Sequence, residues 1–156
     1  MDENSFDALW NPDDLERTEE DLRMLTLKVK ATGNPYTLVQ LLSRVGRAQG
    51  LQNKFEKAVE TLNEADFVLI EAAQRDHHEH PPKHRAWIRY MIERGRLFGV
   101  TGWENSAQNY LHDACHMARD LNHPDLVKEG LQALKSLGLA APPRREAELQ
   151  SSTESP

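Results

Sequence analysis

The side chains in this sequence best suited to chemistry are histidines. In His112-Asp113-Ala114-Cys115-His116 two imidazoles stand four residues apart, so one helical turn would present both to a single metal ion, with Asp113 between them where a water-activating carboxylate belongs. That pattern defines an enzyme alternative, a metal-dependent hydrolase using His112 and His116. Two features oppose it: no third ligand follows at a matching spacing, and aspartate reaches less far than the glutamate such a base would use. A second group, His77, His78, Glu79 and His80 with His84, surrounds Pro81-Pro82. Successive prolines forbid a continuous helix there, so the segment reads as a solvated connection whose histidines lack the fixed geometry of a tight site. Cys115 is the sole cysteine, which forms no intramolecular disulfide and fits a reducing compartment. No nucleophile–base pair is readable elsewhere. The expectation is no catalysis, no cofactor and no metal, with His112 and His116 as weak metal candidates.

The elements that position these residues come from a repeat. The framework of Leu38–Ala65 returns in Ile92–Ala114 at an offset of 49, which places Gly46 on Gly95, Arg47 on Arg96, Gly50 on Gly99, Ala58 on Ala107, Leu62 on Leu111 and Ala65 on Ala114. The last two intervals, four and three residues, stack side chains on one helix face. This glycine, alanine, leucine, alanine framework resembles the tetratricopeptide repeat, or TPR, a pair of antiparallel helices A and B. The resemblance implies that Gly46 and Gly95 let helix A approach helix B closely, and that Ala58/Leu62/Ala65 and Ala107/Leu111/Ala114 form the facing surface. The segment Gln74–Lys83 supplies most of the excess of the offset over the family's period.

The flanks extend the pattern. Asn11 offers an N-cap and Pro12 a first helical position, with Asp13, Asp14 and Glu16 in the first turn, so a helix is expected from Pro12 to Ala31, stopped by Gly33 and Pro35. At an offset of 89, Thr18, Leu22 and Leu25 fall on Ala107, Leu111 and Ala114, which makes this helix a lone B. By the same offset Pro124–Leu137 is a lone A. The expected fold is all-α, a short TPR-like α-solenoid of about six antiparallel helices: a half-repeat, two full repeats and a capping helix. Its domain spans 12–139, preceded by a flexible acidic leader, 1–11, and followed by a disordered tail, 140–156, too polar to offset the entropy of ordering.

Register in this family also assigns surfaces. It places His112 and His116 off the face that packs on helix A, which weakens the metal reading. The resemblance implies a concave peptide-binding groove lined by Tyr36, Gln40, Ser43 and Arg47 in the first copy and by Arg85, Arg89, Ile92 and Arg96 in the second, with Asp125, Glu129, Gln132 and Ser136 contributed by the last helix. Four arginines on one surface suit carboxylates, which guanidinium groups bind bidentately. The expected function is a protein–protein interaction module or scaffold binding an acidic peptide or partner segment.

Charge bounds the partners. The chain carries −6 overall with a pI near 5.6, which opposes nucleic acid and with it the third alternative, an RNA-binding helical repeat. No apolar run is long enough for a membrane span and no signal peptide is visible, so a cytoplasmic, membrane-free protein is expected, with self-association through the array ends as a further expectation. Residues 1–21 hold nine acidic groups and one basic, Arg17. The negative charge is thus concentrated in the N-terminal 21 residues, and in the leader among them Phe6, Leu9 and Trp10 form an apolar anchor. Such a segment has the composition of a ligand for the arginine-lined groove.

Overall fold

A computed structural model describes residues 3–75 and 84–143. The expectations for His77, His78, Glu79 and His80 and for residues 144–156 lie outside them. The described residues form seven helices and no strand: α1 Glu3–Asp7, α2 Leu15–Thr32, α3 Pro35–Leu51, α4 Phe55–Arg75, α5 Arg85–Val100, α6 Glu104–Asp120 and α7 Pro124–Ser136. The count is seven rather than six because the leader contributes α1. Helix α2 starts at Leu15, not Pro12, since the Asn11 side chain is used in a turn, accepting from the Asp13 amide at 3.0 Å. Asp14 takes over as N-cap, accepting from the Arg17 amide at 3.1 Å. Gln74 and Arg75, assigned by sequence to the connection, belong to α4.

The offset of 49 holds in the backbone. α4 and α6 begin at equivalent positions, as α3 and α5 end at them. Asn53 and Gly102, also equivalent, both turn with positive φ, at 61° and 91°. After each, the next amide reaches back to a helix carbonyl, Lys54 to Gln49 at 2.9 Å and Trp103 to Phe98 at 2.8 Å, which satisfies an orphan acceptor of the last turn. At the offset of 89, Gly33 and Asn122 share positive φ.

Each helix from α3 to α7 packs on a sequence neighbour, and α3, α5 and α7 pack on one another in series. Ala58, Leu62 and Ala65 are buried, as are Ala107, Leu111 and Ala114. A Cβ on Gly46 would stand 3.0 Å from Leu62 Cγ, and one on Gly95 only 2.7 Å from Leu111 Cγ. Both glycines are therefore close-approach positions, filled by the leucine of the following helix.

Candidate functional site

The series α3, α5, α7 carries the arginine face. Its first turns hold Tyr36, stacked on His84 at 4.2 Å between centroids, and Arg85, which binds the Asp125 carboxylate with both terminal nitrogens and donates to His123 Nδ1 at 3.1 Å. Burial lowers the pKa of His84, and His123 adds to the effect. The Arg85 guanidinium holds the Asp125 carboxyl below its ordinary range. One turn further, Arg89 is buried and grips Glu129 through both oxygens. Burial pushes the Glu129 pKa up, but the Arg89 hydrogen bond and the charges of Arg89, Arg96 and Arg47 outweigh it, so Glu129 is held below the usual carboxylate value. Arg96 donates to Glu93 Oε1 at 2.6 Å and lies 4.0 Å from Glu129.

Arg47 is different. It forms no ion pair among the described residues, its Nε has no acceptor, and its cation lies over the Trp10 ring at 5.2 Å. Burial lowers its pKa, with Glu93 opposing and Arg96 reinforcing that shift. Nearby, Glu93 is 3% exposed and its Oε2 accepts no hydrogen bond. A buried donor and a buried acceptor without partners are costly unless something supplies their bonds.

Both groups line one cavity of about 560 Å³ at the C-terminal ends of α3, α5 and α7. Its charged wall is Arg47, Arg96, Lys135 and Glu93; its apolar wall is Leu51, Leu97, Val100, Ala133 and Leu137. The repeat builds it twice over, since Arg47 and Arg96 are equivalent, as are Leu51 and Val100. Leu51 and Val100 are 54% and 56% exposed, an unusual outlay for large apolar side chains flanking two cations. The arrangement suits a ligand group that is anionic at one end and apolar beside it.

The sequence-derived residues divide accordingly. Arg47 and Arg96, with Gln132 and Ser136, line the cavity. Arg85 and Arg89 are engaged by Asp125 and Glu129. Gln40 is half-buried, whereas Ser43, whose hydroxyl donates to the Val39 carbonyl at 2.7 Å, and Ile92 are fully buried and present no ligand surface. His112 Nε2 lies 2.9 Å from the Ala140 carbonyl. Among the described residues no group of three or more His, Cys, Asp or Glu is placed to hold a metal. Cys115 is buried, which raises its pKa. Glu93, Leu51, Val100 and Trp10 complete the site. Glu93 was detectable, because Arg89, Glu93 and Arg96 are spaced four and three apart, the intervals of helical ion pairs.

Comparison with protein-family models, curated proteins and solved structures finds no match for this chain.

Proposed function

We propose that the chain is a short TPR-like α-solenoid that acts without catalysis, as a scaffold binding an acidic segment of another protein along the α3, α5, α7 face. Support comes from the doubled helix pair, with its glycine and leucine contacts, and from the absence of a readable nucleophile–base constellation in the sequence. The observation that carries the ligand class is Arg47: Arg89 takes Glu129 and Arg96 takes Glu93, while Arg47 faces an apolar-walled cavity with no carboxylate of its own. Charge-assisted hydrogen bonds are the strong ones, and a ligand carboxylate there would gain one without breaking an internal ion pair.

The test is anisotropy of a short labelled peptide alternating Glu and Leu, beside its Lys–Leu counterpart. The acidic peptide should bind and the basic one should not. Arg47→Gln should weaken binding about tenfold, the loss of roughly one charge-assisted bond, with little change in thermal midpoint because Arg47 holds no ion pair in the fold. Equal binding of both peptides, or an unchanged affinity in the variant, defeats the reading.

A further inference from the structure

The leader gives the arginine face an occupant of its own. Asp7 Oδ1 meets Arg44 Nη1 at 2.6 Å, and the Trp10 ring lies under the Arg47 cation at 5.2 Å. Asp7 and Trp10 are three residues apart, as are Arg44 and Arg47, so one turn of leader matches one turn of α3. Phe6, only 1% exposed, anchors the turn, with the Arg44 cation 6.0 Å from its ring. At the other end the Asn11 amide donates to the buried Thr18 hydroxyl at 3.0 Å. A five-residue helix such as α1 has no stability alone, because nucleation outweighs the few bonds it makes. Its order is borrowed from docking on α3.

We propose that Glu3–Trp10 is an exchangeable, built-in ligand of this face, and that the site takes in trans a segment of the same chemistry, an acid followed three residues later by an aromatic. The inference rests on the reading above, that this face binds acidic segments, and adds to it the form of the segment and its internal competitor. Arg47 is shared, since it carries Trp10 and also lines the cavity. A carboxylate arriving in the cavity therefore competes with the leader for the same guanidinium. Tethering places the leader at an effective concentration of about 1 mM, so an intrinsic dissociation constant of about 100 μM would weaken outside ligands roughly tenfold.

The probe is the labelled peptide Glu-Asn-Ser-Phe-Asp-Ala-Leu-Trp, which copies residues 3–10. A chain lacking residues 1–10, which retains Asn11 for Thr18, should bind it about tenfold more tightly than the full chain, and Arg44→Gln in the shortened chain should remove the gain. The Glu–Leu peptide should tighten in parallel. Should the shortened chain melt too low to assay, the full chain with Trp10→Ala carries the same test and should also gain affinity. If the Glu–Leu peptide binds equally with and without the leader, the competition is wrong and the ligand reading stands. If neither peptide binds either form, both fail. If the leader peptide binds with an affinity indifferent to Arg44→Gln, the docking register is wrong.

Discussion

Gln49 and Thr61 in one copy of the repeat occupy the positions that Phe98 and Tyr110 occupy in the other. In the first copy the Thr61 hydroxyl donates to Gln49 Oε1 at 2.7 Å, and Gln49 Nε2 passes the chain on to Glu19 at 3.0 Å. Glu19, 7% exposed, also accepts from Gln52 at 3.0 Å and from Lys54 and Arg23 at 3.1 Å. The second copy replaces all of this with a ring pair at 5.6 Å. Helix pairs with the same glycine and leucine contacts are thus joined by opposite chemistry at one level. The difference lies in the preceding helix: α2 brings an acid to α3, and a buried acid must be surrounded by donors. The framework residues set the helix geometry, and the variable positions answer to whichever neighbour each copy has.

The largest expected effect tests the shared part of that comparison. Gly95→Leu should overpack against Leu111 and cost about 3 kcal/mol, at the upper end for core insertions, lowering the thermal midpoint by roughly 10 °C. Gly46→Leu, with 3.0 Å where Gly95 has 2.7 Å, should act in the same direction and less. A raised midpoint in either would break the equivalence, since on an open helix face the exchange removes a poor helix former and stabilises.

The unshared part predicts a pH dependence that the first copy adds through Glu19. Burial pushes the Glu19 pKa up, but hydrogen bonds from Gln49, Lys54, Gln52 and Arg23 overcome this and hold it at about 2, below an ordinary 4.5. A folded pKa below the unfolded one means stability present at neutral pH and lost as pH falls from near 5 toward 2, about 2–3 kcal/mol in all. Urea melts at pH 7 and pH 3 should show a larger loss in the wild type than in Glu19→Gln, which starts less stable at pH 7 and keeps only the loss that Asp125 and Glu129 contribute. Equal losses in the two proteins would place the acid sensitivity elsewhere.

Much of this was legible in the sequence, for reasons that differ by residue. The glycine, alanine and leucine framework announced itself because steric demand at a close approach admits few residue types, so Gly46 and Gly95 recur. The starts of α3 and α7 followed from Pro35 and Pro124. Glu19 was hidden: a single acid on an acidic helix looks like surface, and apart from Arg23 its donors come from residues thirty or more positions away. Arg85 and Arg89 are spaced one helical turn apart in the sequence, but their engagement by Asp125 and Glu129 depends on how closely α7 settles against α5, which no local pattern encodes. The cavity was illegible for the same reason, being the space left between three helix ends.

The smallest effect probes that space. Gly50 and Gly99 are equivalent and both helical, yet a Cβ on Gly50 would meet only Leu97 Cδ1 at 4.0 Å, whereas one on Gly99 would stand 2.5 Å from both branch tips of Leu137. Gly50→Ala should therefore keep the ordinary benefit of removing glycine from a helix, about 0.5–1 kcal/mol, and raise the midpoint by roughly 2–3 °C. Gly99→Ala receives the same benefit but forces Leu137 to swing away from the cavity wall, so its midpoint should stay level or fall. Opposite signs at equivalent positions would show that α7 closes one copy and leaves the other open at the mouth of the cavity. A matching rise in both would mean that Leu137 does not press on Gly99, and that the cavity is wider than its walls suggest.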